Sequence, residues 1–406
     1  MGLAFKNELH DEFGTRPVAY IPYGGADLGE ILAVGRAVGD GGDLAFHEAW
    51  IAAGDRLAAQ AREAERRGLR ESASESFLRA SAFYATSYRP FYGAPADPRL
   101  VAAFRKQIAA FNNGLALSRF PVVPLRVPFE GTSMPAYLIP ARGQETEVRS
   151  LIILTNGYDA TVTDMYFASA VAASRRGYHC LVFDGPGQGE MLYEQDMRLR
   201  PDWETVVRAV VDHVVELPVV DARRLVLSGW SLGGHLAPRA ASGEHRLAAC
   251  IADPGQWSLA GQFRQFALKF GVAPQDAASL AELGQPVLDR LTQIASSDPT
   301  LRWKIVQRGF WVHGVGNLRD YLRAIEPFTM DDRAEEISCP TLMTLAEHDP
   351  LAGGTQSFFD RLRCPKELLR FTAAEGAGDH CETANRSLLN RRVLDWLDGV
   401  LGSGGR

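Results

Sequence analysis

The chain has 406 residues, of which 46% are hydrophobic and 23% are charged, a balance typical of a soluble globular protein of two or three domains. Its net charge of −6 and its lack of a Lys/Arg cluster argue against a nucleic-acid-binding protein. No apolar run approaches the roughly 20 residues of a membrane span, and the N-terminus is charged where a signal peptide needs an apolar run. We therefore expect a protein that binds neither nucleic acid nor a membrane.

The five cysteines are odd in number and contain no C-x-x-C pair. Cys180, Cys250 and Cys339 lie in apolar, strand-like runs, as small buried hydrophobic residues do. These features favour a reduced, cytoplasmic protein, for which we expect no metal and no other cofactor. A homodimer is compatible with the sequence, which does not otherwise define an oligomeric state.

Residues 1–118 are predicted to form a helical N-terminal domain, with helical periodicity from about residue 27. Asp43 precedes an alanine-rich amphipathic run and is the expected N-cap of its helix. Residues 70–88 and 98–117 repeat the apolar spacing of a helix. Aromatic residues crowd this region, and we expect them to form its packing core, with a substrate-lining role as the alternative: Phe77, Phe83, Tyr84, Tyr88, Phe91 and Tyr92.

The apolar spacing changes to that of strands from residue 119 onwards. Two proline-containing runs flank Glu130-Gly131-Thr132 and predict a hairpin at a sheet edge. Six short apolar runs follow, mostly separated by helical segments: residues 150–155, 179–184, 224–228, 247–253, 340–345 and 367–371. Continuous apolar runs of this length indicate buried parallel strands, so we predict an α/β protein with a doubly wound sheet.

The longest interval between predicted strands, residues 256–338, is helical and rich in aromatic residues. We expect it to be an inserted cap over the carboxyl ends of the strands, where open α/β sheets bind ligands. The sheet core is then divided into residues 119–255 and 339–406. Within the cap, Trp257 and Trp311 are predicted to contact substrate, and Trp257→Ala is expected to alter selectivity.

A G-x-S-x-G motif, Gly229-Trp230-Ser231-Leu232-Gly233, lies between a predicted strand and a predicted helix. The serine of such a turn has a strained backbone, so the residues two positions away must lack bulky side chains. The strain exposes the serine hydroxyl above the sheet edge. A glycine-rich turn without catalytic meaning is the alternative. We predict Ser231 as a nucleophile and Trp230 as a substrate contact.

A serine nucleophile needs a base within hydrogen-bond reach, and a third group must orient that base. Asp349 follows the predicted strand 340–345 and precedes a proline, which favours it as the orienting acid. Glu347 is the alternative acid, and capping of the next helix is the alternative role for Asp349. His380 is the only histidine after Asp349 and lies on a glycine-rich loop, so we predict that it is the base.

Two backbone N–H groups are needed to bind the acyl oxygen of a substrate. The predicted donors are Leu232, which follows the nucleophile, and Tyr158, in the turn after strand 150–155. Asp159 is expected to cap the following helix or to contact substrate. Residues 184–190 contain G-x-G-x-G, but Pro186 and the missing final glycine argue against a phosphate-binding loop. We interpret them as a rigid turn behind the site.

Four segments together resemble a known family: residues 155–161 (TNGYDAT), 183–191 (FDGPGQGEM), 229–234 (GWSLGG) and 378–381 (GDHC). They are similar to a branch of the α/β-hydrolases with a helical N-terminal region, which includes dihydroxypseudooxynicotine hydrolase and fungal polyketide-shortening (heptaketide) hydrolases. The resemblance implies the α/β-hydrolase fold and a catalytic triad of Ser231, Asp349 and His380. It also implies cleavage of a C–C bond next to a ketone in some members and of ester or peptide-like bonds in others.

One departure from this branch concerns residues 259–266. The nicotine-pathway enzyme uses an additional glutamate downstream of its nucleophile, whereas this stretch contains no acid. Its substrate and exact mechanism therefore do not transfer. We expect serine-dependent hydrolysis of a carbonyl-containing, polyketide-like or aromatic small molecule. The alternatives are acyl transfer, lactonisation or elimination by the same residues in a biosynthetic pathway, and a non-catalytic binding protein on a hydrolase scaffold.

Overall fold

The computed structural model describes residues 2–277 and 279–402. Its N-terminal region consists mainly of helices: α1 (Glu8–Gly14), a 3₁₀ segment (Arg16–Tyr23), α2 (Leu28–Val38), α3 (Asp43–Arg66), α4 (Arg70–Ser87) and α5 (Pro98–Leu117). The sequence did not predict the two elements before residue 27. The first is capped by Asn7, whose side chain accepts a hydrogen bond from the backbone N of His10 at 3.0 Å.

Asp43 is not an N-cap, because Gly42 occupies that position and Asp43 is the first helical residue. The Asp43 carboxylate instead lies 2.8 Å from Nε2 of His10, which belongs to α1. The Asp43 carboxylate therefore makes a tertiary contact with α1 in place of the N-cap hydrogen bond within α3 that the sequence predicted.

The aromatic residues predicted as packing core are buried, except for the partly buried Phe91. The Tyr88 hydroxyl donates to Oε1 of Gln107 at 2.7 Å, and Tyr92 packs edge-on against Trp311 with ring centroids 5.4 Å apart. Trp311 lies in the interval 256–338, so this core joins the N-terminal helices to that interval.

The described residues form an eight-stranded sheet of order β1-β2-β4-β3-β5-β6-β7-β8. Its strands are β1 (Val123–Phe129), β2 (Thr132–Ile139), β3 (Arg149–Thr155), β4 (His179–Phe183), β5 (Val220–Trp230), β6 (Leu247–Asp253), β7 (Thr341–Ala346) and β8 (Lys366–Phe371). Strands β3 to β8 are parallel, and every residue of β3 and β4 is buried. The predicted mostly parallel α/β sheet is confirmed.

The hairpin β1–β2 turns at Glu130 and Gly131, which both have positive φ, +44° and +81°. Strand β1 is an edge strand, as its prolines predicted, but β2 is not, because it also pairs with β4. Pro135 is tolerated in β2 because the pairing with β4 begins one residue later, at Ala136.

The helices of the core flank the sheet: α6 (Val162–Met165), a π-helical turn (Tyr166–Ala170), α7 (Val171–Arg175), α8 (Gly189–Tyr193), α9 (Trp203–Val214) and α10 (Gly233–Ala241). Between β6 and β7 lie α11 (Leu259–Lys269), α12 (Pro274–Ala277), α13 (Gln285–Ser297), α14 (Pro299–Leu301), a π-helical segment (Arg302–Gly309), α15 (Phe310–His313) and α16 (Leu318–Ile325). The last helices are α17 (Thr355–Arg361) and α18 (Arg386–Leu401). The described helices include none with the length and apolarity to cross a bilayer.

The chain leaves β3 towards β4 on one side and returns to β5 on the other side. The loops after β3 and β5 therefore meet at a switch point of the sheet, which is where open α/β sheets bind ligands.

Candidate active site

Ser231 lies at the turn between β5 and α10 with φ +60°, a left-handed conformation that is rare for a residue with a side chain. A Cβ on Gly229 would lie 1.8 Å from the carbonyl oxygen of Gly233. A Cβ on Gly233 would lie 2.6 Å from the carbonyl oxygen of Thr155. The predicted need for small residues around the serine is therefore confirmed, since no larger residue fits at either position.

The structure brings Ser231, His380 and Asp349 into one hydrogen-bonded line. Nε2 of His380 lies 2.9 Å from Oγ of Ser231, and Nδ1 of His380 lies 2.8 Å from Oδ2 of Asp349. The Asp349 side chain is 1% exposed and the His380 side chain 35% exposed. A buried carboxylate at Nδ1 favours the tautomer with a proton on that nitrogen, which leaves the Nε2 lone pair facing the serine hydroxyl.

Glu347, the alternative acid, has a different environment. Its carboxylate is exposed and accepts a hydrogen bond from the backbone N of Ala373 at 2.8 Å. Asp349 contacts the imidazole of His380, and its second oxygen accepts from the backbone N of Leu351.

The loop after β3 passes beside the serine. A Cβ on Gly157 would lie 2.8 Å from Cβ of Ser231 and 3.0 Å from the backbone N of Leu232. Nε2 of Gln188 donates to the carbonyl oxygens of Asn156 and Gly157, at 2.9 and 3.2 Å. The turn at residues 184–190 thus supports this loop, which agrees with its interpretation as a rigid turn behind the site.

Asp159 accepts hydrogen bonds from Arg16 at 2.8 and 3.1 Å and from Arg308 at 3.2 Å. Burial opposes its ionisation, but the charges of the arginines outweigh that effect and hold the pKa of this carboxyl well below its usual range. Thr161, not Asp159, is the N-cap of α6, so the capping interpretation was wrong. Through these ion pairs, Asp159 on the loop after β3 joins the N-terminal region to the interval 256–338. Its predicted substrate contact stays a prediction.

The three tryptophans predicted as substrate contacts have packing partners. Trp230 is 5% exposed and lies under the guanidinium of Arg386. Trp311 is 1% exposed and stacks on Tyr193 with centroids 5.5 Å apart. Trp257 is half-buried, donates from Nε1 to Asp331 at 2.8 Å and packs edge-on against a phenylalanine of α17. These contacts account for all three by packing, and their contact with substrate stays a prediction.

A polar cluster between the loop after β3 and the interval 256–338, which the sequence predicted as a cap, was not itself predicted. The cap polar cluster consists of Tyr158, Arg308, His313 and Tyr321. The Tyr158 hydroxyl lies 2.7 Å from Nε2 of His313, whose ring packs edge-on against Tyr321 with centroids 5.6 Å apart, and the Arg308 guanidinium lies 4.7 Å above the Tyr158 ring. Burial and the charge of Arg308 lower the pKa of His313 to about 3, so this imidazole is neutral.

The cap polar cluster is linked to the serine turn by a chain of contacts. The ring of Phe328 packs against His313 and also against His235 on α10, at centroid distances of 5.3 and 6.1 Å. Nδ1 of His235 lies 3.2 Å from the carbonyl oxygen of Gln256, whose side chain donates to the carbonyl oxygen of Ser231 at 3.1 Å. The cluster is therefore connected to the backbone of Ser231 through Phe328, His235 and Gln256.

His235→Asn is expected to flatten the dependence of stability on pH. Burial lowers the pKa of His235 from 6.5 to about 4, so below pH 6.5 the unfolded chain binds a proton that the folded protein does not. The free energy of unfolding should therefore fall by about 3 kcal/mol from this residue between pH 6.5 and 4. Urea unfolding of both proteins across this range measures the difference. Equal pH slopes would contradict a neutral, buried His235.

Comparison with known proteins gives three findings. The sequence model described as the alpha/beta hydrolase family matches residues 152–386. Hydrolase LUC6 of Fusarium sp is 32% identical over 94% of each chain, and 20-hydroxy-prefusarin hydrolase FUS2 of Gibberella moniliformis is 29% identical over 98% of each chain. The crystal structure of 2,6-dihydroxy-pseudo-oxynicotine hydrolase superposes with a TM-score of 0.75, covering 96% of each chain at 21% identity, and that likeness concerns the fold alone.

Proposed function

This chain belongs to the alpha/beta hydrolase family, and from that premise we propose that it is a serine hydrolase with Ser231 as its nucleophile. The observation that carries the proposal is the hydrogen-bonded line Ser231–His380–Asp349, with both distances below 3.0 Å. Its order along the chain, serine then acid then histidine, is that of the α/β-hydrolases.

In the proposed reaction, Nε2 of His380 takes the hydroxyl proton of Ser231 as Oγ attacks a substrate carbonyl carbon. Asp349 stabilises the imidazolium that forms and holds its orientation. When the tetrahedral intermediate collapses, the bond to the leaving group breaks and His380 gives the proton to that group. Water then attacks the acyl-serine by the same steps and releases a carboxylic acid.

The backbone N–H groups of Leu232 and Tyr158 are the proposed donors to the oxyanion. Leu232 precedes α10, whose N-terminal end favours negative charge, and Gly157 lets the loop carrying Tyr158 approach the serine closely. Gln188 holds the loop that carries Tyr158, and a donor fixed in place needs no reorganisation as the charge develops.

The proposed substrate is an oxygenated small molecule of polyketide-like or aromatic character. One relative is named for hydrolysis of 20-hydroxy-prefusarin, and the cap polar cluster offers two phenols and a neutral imidazole among aromatic rings. Such groups bind hydroxyl and carbonyl oxygens without requiring a charge on the ligand. The bond that breaks is an acyl C–O bond or a C–C bond next to a ketone.

Hydrolysis in ¹⁸O-labelled water tests the proposal. The purified protein is incubated with aryl esters, lactones, 1,3-diketones and aryl ketones, and the products are identified by mass spectrometry. Hydrolysis of either bond type puts an oxygen from water into the acid product, and the other fragment tells which bond broke. An acyl product without ¹⁸O would indicate transfer or lactonisation, and no turnover of any class would favour a binding protein.

Tyr321→Phe is expected to change substrate preference with little effect on stability. The variant loses one phenol hydroxyl and keeps the ring that packs edge-on against His313, so we expect a loss of about 1 kcal/mol, or roughly fivefold in kcat/KM, for substrates whose oxygen that hydroxyl binds. Trp257→Ala is the matched comparison, expected to lower Tm because it removes a ring that packs on α17. For both variants, steady-state kinetics on two substrates measure the change in preference, and thermal unfolding measures the change in Tm. A selectivity change in Trp257→Ala alone would instead favour the substrate contact predicted from the sequence.

A further inference from the structure

A buried ion pair lies beside the residues of the proposed triad. Oδ2 of Asp253, the last residue of β6, accepts a hydrogen bond from Nη1 of Arg386, the first residue of α18, at 2.5 Å. Asp253 is 3% exposed and Arg386 is 4% exposed. The mechanism proposed above uses neither of them.

All three nitrogens of the Arg386 guanidinium are hydrogen-bonded. Besides its bond to Asp253, Nη1 donates to the carbonyl oxygen of Cys381 at 2.8 Å. Nε donates to the carbonyl oxygen of Ala168 at 3.2 Å and Nη2 donates to Oγ of Ser169 at 3.0 Å, both on the π-helical turn after α6. A planar group with several donors in fixed directions is what holds four such partners at once.

The position of Arg386 in its helix is unfavourable for a cation. The N-terminal end of a helix carries a partial positive charge, so acidic residues are favoured there and arginine is favoured at the opposite end. The end is already capped, because the Asn385 side chain accepts a hydrogen bond from the backbone N of Leu388 at 3.3 Å. The contacts of Arg386 outside the helix, not the stability of α18, therefore account for an arginine at this position.

The ion pair connects the chain segments that carry Ser231 and His380. The backbone oxygen of Asp253 accepts from the backbone N of Ser231 at 2.7 Å. Arg386 binds the carbonyl oxygen of Cys381, the residue directly after His380. One arginine–carboxylate pair thus joins the two backbones whose side chains meet where Nε2 of His380 lies 2.9 Å from Oγ of Ser231.

The sheet holds both members of the pair in place. Oδ1 of Asp253 accepts a hydrogen bond from the hydroxyl of Thr344, on β7, at 2.9 Å. The guanidinium of Arg386 lies 5.1 Å above the ring of Trp230, the residue before Ser231. The pair therefore links the central strands of the sheet to the loop that carries His380.

The segment after His380 has a backbone that needs such support. Cys381 and Glu382 have φ values of +55° and +47°, two consecutive non-glycine residues in the left-handed region. Residues with a side chain stay in this conformation only where their surroundings hold them. Arg386 holds the carbonyl of Cys381, and Sγ of Cys381 lies 3.6 Å from the backbone oxygen of Asp253.

We propose that the Asp253–Arg386 ion pair positions His380 against Ser231. Arg386 is thus a positioning residue, since it acts through the backbone of Cys381 and not on the reacting atoms. The inference rests on the proposed function, because it assumes that the Ser231–His380 contact is catalytic.

Arg386→Lys, made in the full chain, tests the proposal. Lysine keeps a cation for Asp253, so no carboxylate is left buried without a partner, but one ammonium does not replace the bonds of three separate nitrogens. We measure the rate at which a small fluorophosphonate labels Ser231, and kcat and KM on an aryl ester that the wild type hydrolyses. The labelling rate and kcat should both fall by about 30-fold or more with KM little changed, because a small displacement of the base has a large effect on rate.

Asp253→Asn combined with Arg386→Met is the second variant. It removes both charges together, so neither charge is left unpaired in the interior, and it also removes the donor to the Cys381 carbonyl. We expect losses in labelling rate and kcat at least as large as those of Arg386→Lys.

Arg239→Met is the matched control. Arg239, on α10, binds both carboxylate oxygens of Glu204, on α9, at 2.9 Å each, and the two side chains are 12% and 14% exposed. This variant should have a lower Tm because it breaks a largely buried ion pair. It should keep the labelling rate and kcat of the wild type, since the pair does not contact the loop that carries His380.

Four results would overturn the inference. Wild-type labelling and kcat in a folded Arg386→Lys or double variant would show that the pair does not position His380. Comparable losses in Arg239→Met would show that breaking any such ion pair impairs the triad. If circular dichroism shows Arg239→Met folded but neither Arg386 variant folded, Arg386 serves the fold and not the position of His380. Absence of Ser231 labelling in the wild type would overturn the proposed function itself, and this inference with it.

Discussion

Ser231→Ala is expected to lower kcat by about 10⁴- to 10⁶-fold on any ester that the wild type hydrolyses, because it removes the proposed nucleophile. Its Tm should stay close to that of the wild type, since alanine fits the turn between β5 and α10. Ser228→Ala, on the same strand three residues earlier and half-buried, is the matched control and should keep wild-type turnover. Turnover by Ser231→Ala within tenfold of the wild type would contradict the nucleophile assignment.

Asp349→Asn is expected to lower kcat by about 10⁴-fold while KM changes little. The amide keeps the shape of the carboxylate but favours the tautomer of His380 that has no lone pair facing Ser231, and it no longer stabilises the imidazolium. Glu347→Gln is the control, with only a small effect expected, because the Glu347 carboxylate is exposed and bonds the backbone N of Ala373. The reverse rank order of the two variants in steady-state kinetics would identify Glu347 as the acid.

The sheet and the serine turn were predictable because their signals are local. The predicted apolar runs correspond to strands β3–β8 within a few residues. Because β5 and β7 are parallel strands of one sheet, their carboxyl ends, which lead to Ser231 and Asp349, lie at the same edge of the sheet. Glycine is required two residues before and two residues after Ser231, because a Cβ at either position would lie less than 3 Å from a backbone oxygen. The fold and the resemblance to the branch with a helical N-terminal region are confirmed by the family match and the relatives.

The polar groups around the site were not predictable, because their partners lie far away in sequence. Tyr158 and His313 are 155 residues apart, and Asp159 pairs with Arg16 over 143 residues. The local sequence pattern predicted that Asp159 caps a helix. For a buried carboxylate, however, an ion pair with a distant arginine is stronger than a cap hydrogen bond.

The central claim, that Ser231 is an activated nucleophile, is tested most directly by covalent labelling. The wild-type protein and Ser231→Ala are treated with a small fluorophosphonate, and the adduct is located by intact mass and peptide mapping. We expect a single adduct, on the peptide that contains Ser231, with none on the alanine variant. An unlabelled wild-type protein, or an adduct that maps to another residue and persists in Ser231→Ala, would contradict the account.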